Sequence, residues 1–294
     1  MILVDIVAQK GTSFKFALFL LFLFGIGWSE NSESIAQQDR AILEPFFEKL
    51  LTKETLGYVL LGEKPIAFVS FIPNLSWRHP FRSLLCLKSY FSSGNQIAKK
   101  GWKTWEKYAT RTSDQFLFVK ETSPYSPLVV WVFIIKRDLF CQTIDENKDV
   151  FEKALTLKVN GNELFERAKQ QPFFSGLLRK HEGLLGILLG YGKNNSRLFS
   201  EGKMDRLGFF PKQEDSLSPI ALPPFRADWG DQETICLREK YLSCREKIRI
   251  IFLNQNLLDH TLKFLLSDET GIDSADQYRC NNRYQNFLDQ WVSV

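Results

Sequence analysis

The chain is poor in the residues that build most recognisable chemical sites. It has three histidines in 294 residues, His79, His181 and His260, spaced far apart. A zinc-protease helix needs His-Glu-x-x-His; His181-Glu182 begins one, but position 185 is Leu. There is no Gly-x-Ser-x-Gly elbow, which excludes the usual esterase arrangement. The five cysteines, Cys86, Cys141, Cys236, Cys244 and Cys280, form no Cys-x-x-Cys pair and are odd in number. Cys236 and Cys244 are predicted to share a helix, roughly 12 Å apart, too far for a disulfide. No metal site and no cofactor is expected. The carboxylates Glu44, Glu48, Asp145, Glu146 and Asp149 show no spacing that pairs an acid with a base.

Neither charge sign dominates. Lys and Arg number 38 and Asp and Glu 34, a net charge of +4 that argues against a nucleic-acid partner. Methionine is nearly absent, at two residues, while phenylalanine reaches 26, so the core is expected to be aromatic-rich.

One long apolar run is present. Phe16 to Trp28 is uninterrupted, follows Lys10 and Lys15, and precedes Ser29-Glu30-Asn31. Basic, then apolar, then small residues is the order of a secretory signal, and small residues at 25, 27 and 29 supply cleavage spacing. The run is shorter than the ~20 residues of a spanning helix, which favours a cleaved signal. Trp28 at its end, and Ile2-Leu3-Val4 before it, keep an inner-membrane anchor as the alternative.

The remainder predicts an α+β fold: an antiparallel sheet with a hairpin in the N-terminal half and a helix-rich C-terminal half. Residues 1–29 read as signal or anchor, 30–210 as an α+β domain, 211–232 as a Pro-rich loop or linker, and 233–294 as a helical region packed on the body. Residues 41–52 carry one apolar helical face. Residues 55–61 and 66–72 read as a hairpin around Gly62-Glu63-Lys64-Pro65. Residues 115–120 and 128–136 read as strands, the second apolar on both faces and hence central. Residues 82–91 fit either strand or helix. Helices are expected over 96–109, 148–157, 163–170, 174–189, 195–201, 233–248 and 257–267, and the tail residues Tyr284, Phe287, Leu288 and Trp291 have helical spacing.

Two stretches stand out. In the first, Gly183, Gly186 and Gly190 share one side of a helix and would admit a close neighbour, and Gly190 and Gly192 suit a left-handed helix end. Asn194, Asn195 or Ser196 is expected to cap the next helix. A phosphate loop is excluded, because Gly186 is one residue too far from Gly192-Lys193 and Asn194 replaces the hydroxyl residue. The functional reading of this stretch is an anion site built from His181, Lys193, Asn195 and Arg197 at a helix N-terminus. The second stretch is a basic amphipathic helix. Lys99, Lys100, Lys103 and Lys107 fall on one side and Trp102 and Trp105 on the other. Such a helix either meets an anionic membrane or an acidic partner, or covers a core with its tryptophans while its lysines are solvated.

The segments Glu54–Phe68 and Gly183–Phe199 are similar to those of uncharacterised exported proteins of chlamydia-like intracellular bacteria. That resemblance implies a bacterial envelope context and assigns no role to any residue. The expectation is therefore an exported, envelope-associated or secreted protein that works by binding a protein partner or an anionic membrane surface. The alternative is an extracytoplasmic hydrolase or transferase whose site is assembled from distant residues.

Overall fold

The computed structural model describes residues 35–75, 80–212, 215, 218–253 and 256–267. The apolar run at 16–28, His79, Cys280 and the tail aromatics at 284–291 lie outside the described residues. The chain divides into a short unit, residues 1–39, and a large one, residues 40–294.

Helix α1 (Gln37–Thr52) buries Leu43, Phe46, Phe47, Leu50 and Leu51, the stripe its spacing predicts. The next segment departs from expectation. Residues 55–61 are not a strand but a five-residue helix, α2 (Leu56–Leu60), buried along its whole length. The β-prone Tyr58 and Val59 yield to packing: Gly57 sits so close to Ile248 that a β-carbon there would lie 2.8 Å from it. Gly62, at φ 83°, closes the turn into β1 (Ile66–Phe71).

The sheet has the order β1-β3-β2, with β2 at Phe116–Thr122 and β3 at Val130–Lys136, antiparallel throughout. The hairpin in this half of the chain is therefore β2–β3, and the partner of β1 is β3, with Ile66 opposite Ile135. As its double-sided apolarity predicts, β3 is central, and Val132 to Ile135 are all buried. On one face Phe133 and Ile135 join the main core. On the other, Phe118, paired with Ile134, meets helix α4 (Ser93–Trp105). Residues 80–91 form helix α3 (Pro80–Phe91).

The second half is helical: α5 (Arg137–Glu146), α6 (Lys148–Leu155), α7 (Gly161–Ala168), a π-turn at Phe173–Leu177, α8 (Glu182–Leu188) and α9 (Lys193–Ser200). Helix α5 is not expected from sequence, because it follows β3 with no capping side chain and buries only Phe140, Cys141 and Ile144. The single helix expected over 174–189 is broken instead. The Glu121 carboxylate accepts the Phe174 N–H at 3.0 Å, and Arg179 and Lys180 take positive φ before His181 caps α8.

A short ribbon, β4 (Gly208–Phe210) with β5 (Phe225–Ala227), clasps the Pro-rich loop. That loop is pinned to α10 (Gln232–Phe252) by a bidentate Arg238–Asp215 pair at 2.7 and 2.8 Å. Helix α11 (Leu257–Leu266) closes the described chain, and Cys86, Cys141, Cys236 and Cys244 are all free thiols. Among the described residues no helix is long and apolar enough to cross a membrane.

Candidate functional site

Helices α8 and α9 form a tight corner because glycine faces serine across it. A β-carbon at 186 would lie 2.7 Å from Ser196 Oγ, and one at 183 would lie 2.9 Å from Ser200 Oγ. Gly190 and Gly192, at φ 77° and 87°, turn the chain between the helices, as their spacing predicts. Gly190 also admits the Tyr241 hydroxyl, which donates to its carbonyl at 2.6 Å.

The cap of α9 differs from expectation. Neither asparagine nor Ser196 takes the cap position, which Gly192 occupies. Instead the Glu233 carboxylate, forty residues on, accepts the Lys193 and Asn194 N–H groups at 2.8 and 3.0 Å. The first turn of α9 is thus charge-complemented by the chain's own anion. Around it, Lys193 Nζ holds Asp149 at 3.2 Å, and Arg197 holds Glu201 and the Asn194 side chain. Asn195, 1% exposed, is saturated: its amide donates to Tyr191 O and Thr234 Oγ1, and its carbonyl accepts the Asp228 N–H. His181 Nδ1 accepts the Leu184 N–H. The amides on which the expected anion site would rest are therefore occupied, and each of its four side chains has a partner within the protein.

What the corner does form is a cavity of about 400 Å³. Its floor is Leu185 and Gly186 of α8 and Leu189 at that helix's C-cap, with Ser196 and Phe199 of α9, and its roof is Phe209, Phe210, Phe225 and Arg226 of the β4–β5 ribbon. Tyr125 of the β2–β3 turn, Phe174 and Glu182 complete one side. Rings stack through the roof: Tyr191 on Phe225 at 4.7 Å, Phe225 on Phe210 at 4.4 Å, and Phe210 on Trp229 at 5.5 Å. Phe209 is 70% exposed at the rim. The volume and the apolar wall with few polar groups match those of small-molecule sites.

The polar groups of the wall differ in how they are engaged. The Tyr125 hydroxyl donates to Glu182 at 2.5 Å, and partial burial together with that carboxylate pushes the phenol up to about 12. Ser196 Oγ, in a residue 3% exposed, is buried without a hydrogen-bond partner among the described residues. Arg226, directly opposite Phe209 in the ribbon, lays its guanidinium over that ring at 3.5 Å. No carboxylate or carbonyl among the described residues pairs with it.

Behind the wall lies Lys64, 2% exposed, with Nζ donating to Thr55 Oγ1 at 2.8 Å and lying 5.9 Å from the Tyr191 ring centre. Burial lowers its amine to about 7. The same burial pushes the Tyr191 phenol up to about 12 and the Tyr241 phenol well above its usual value.

The second expected surface is altered by the fold. Trp105 is fully buried against Phe47 and Phe118, with ring centres 5.1 and 5.6 Å away, and Trp102, 6% exposed, lies 6.2 Å from Phe118. Both tryptophans belong to the core and are no part of an exposed surface. Lys100, Lys103 and Lys107 are exposed and Lys99 half-exposed, its Nζ 5.1 Å from the Tyr90 ring centre.

Sequence reasoning missed most of the cavity. Tyr125, Phe174, Phe209, Phe225 and Arg226 come from separated segments, and no local spacing joins them. The glycine pattern of α8 pointed to this place, and of the four residues expected to bind an anion, Asn195 lines the cavity. Among the described residues no group of three or more His, Cys, Asp and Glu is placed to hold a metal ion. Comparison with protein-family models, with curated proteins and with solved structures returns no match to this chain.

Proposed function

We propose that this is an exported binding protein whose ligand is a small, largely apolar molecule held in the cavity between α8, α9 and the β4–β5 ribbon. The observation that carries the reading is the cavity itself: about 400 Å³, walled by phenylalanine, tyrosine and leucine. Binding is favoured over hydrolysis because the one serine of the wall, Ser196, is hydrogen-bonded to no base among the described residues, and His181 is not part of the wall. Export rests on the apolar run at 16–28 and its basic and polar flanks.

The binding half is tested by filling the cavity. Leu185 is a half-buried wall residue, so Leu185→Trp adds bulk where the side chain has room to be accommodated. The variant should retain the native circular dichroism spectrum and lose binding of an apolar reporter dye by at least tenfold. Equal dye binding by the folded variant and the wild type would reject the cavity as the site. The export half is tested by fractionating cells that make a tagged chain, followed by N-terminal sequencing. A purely cytosolic pool rejects it.

A further inference from the structure

The unengaged polar groups of the cavity say what kind of head the apolar ligand carries. Asn195 has its donors and acceptor occupied by backbone and Thr234, so it is structural. The Tyr125 hydroxyl is engaged by Glu182, whose carboxylate is exposed to solvent. Three groups remain. Ser196 Oγ is buried without a hydrogen-bond partner among the described residues, and the hydroxyl of Tyr191, also in the wall, has none among them either. Arg226 is half-buried, held over the Phe209 ring, with five N–H donors and no acceptor paired to them among the described residues. Two hydroxyls and a guanidinium leave a surplus of donors, and the guanidinium bears a fixed positive charge. A half-buried, preorganised guanidinium is suited to a planar anion, which it meets through two parallel hydrogen bonds.

We propose that the ligand is a carboxylic acid with a single apolar chain, its carboxylate on Arg226 and its chain among the aromatic rings. This rests on the binding function proposed above and adds the chemical class of the ligand. The cavity has room for about a dozen groups of water size, so chains of medium length fit it. Phe209 holds the guanidinium in place as well as forming the rim, which couples the head site to the entrance.

The test is isothermal titration calorimetry of the full chain with octanoate, octanol and octylamine, and with hexanoate and decanoate. Octanoate should bind at least tenfold more tightly than octanol, and octylamine more weakly than either. Affinity should rise roughly fifteenfold for each two methylenes from hexanoate to decanoate. Arg226→Gln should weaken octanoate by ten- to a hundredfold, the range for a hydrogen bond to a charged group, and leave octanol unchanged. Arg226→Lys, which keeps the charge and loses the planar fork, should fall between. If octanol matches octanoate, or Arg226→Gln binds octanoate as the wild type does, the carboxylate assignment is overturned while the cavity stands. If none of the compounds binds, the cavity reading itself falls and takes the assignment with it.

Discussion

Helix α4 turns Trp102 and Trp105 into the core and leaves Lys100 and Lys103 in water. The α8–α9 corner turns its glycines inward, brings Glu233 and Tyr241 against its backbone, and lies over a buried lysine. Both stretches drew attention in the sequence, the corner through its glycines and α4 through lysines opposite tryptophans, and both carry basic residues. The difference lies in what answers the charge. Around most of α4 it is solvent, where electrostatic effects are small and screened. At the corner it is protein from distant segments, in surroundings where each charge and each hydrogen bond has a large effect.

That contrast predicts where substitutions and pH act. The largest effect is expected at Lys64. Its folded pKa is lowered to about 7 from the usual 10.5, so between these values the unfolded chain holds a proton that the folded protein lacks. Stability should therefore rise with pH, by ~2 kcal/mol from pH 7 to 9. Above pH 9 the raised values of Cys244, Tyr58, Tyr191 and Tyr241 act in the opposite sense, since the unfolded chain loses those protons first. Urea unfolding at pH 7 and 9 reads the slope, and Lys64→Met should flatten it. Equal slopes in the two proteins would break the comparison.

Next is Glu233→Ala, which leaves the Lys193 and Asn194 amides without their acceptor. A loss of ~1–2 kcal/mol is expected, as for removal of a helix cap, measured by the same unfolding experiment. An unchanged midpoint would show that the corner does not depend on the distant carboxylate. The smallest effect belongs to α4. Replacing Lys99, Lys100, Lys103 and Lys107 together by Gln should change stability by less than about 0.5 kcal/mol. Flotation with vesicles of phosphatidylserine and phosphatidylcholine should also be unchanged. A clear loss of vesicle binding would make α4 a functional surface after all, one built from lysines alone.

Much of the scaffold was legible because its signals are local. The apolar period of α1, the two-sided apolarity of β3 and the separation of Lys from Trp along α4 each reflect one element facing one core. The elements that were misread have weak or conflicting local signals. Residues 56–60 carry β-branched and aromatic side chains but are buried on every side, which suits a helix under α10 as well as a strand. Helix α5 has a narrow stripe and no cap. The break at 178–181 depends on Glu121, more than fifty residues earlier, accepting the amide that begins the π-turn.

The site was legible only in part, and for a related reason. Gly183, Gly186, Gly190 and Gly192 announce close approach and a left-handed turn wherever the partner comes from, because a missing side chain is a property of the residue itself. What approaches is not written beside them. Glu233, Tyr241 and Arg226 reach the corner from segments 25 to 50 residues away, through the packing of α10 and the pairing of β4 with β5.

By itself, the sequence determined an α+β chain with a central apolar strand, an aromatic core and a glycine-lined helical corner, since side-chain period and backbone freedom act over a few residues. It also set the apolar run at 16–28 on which the proposal of export rests. Tertiary structure alone decided that α4 covers a core, that the chain supplies its own anion to α9, that Lys64 is shut away from water, and that a cavity opens beneath the β4–β5 ribbon. Each of these depends on which distant surface arrives to exclude solvent, and exclusion of solvent is what gives a charge or a cavity its energetic weight.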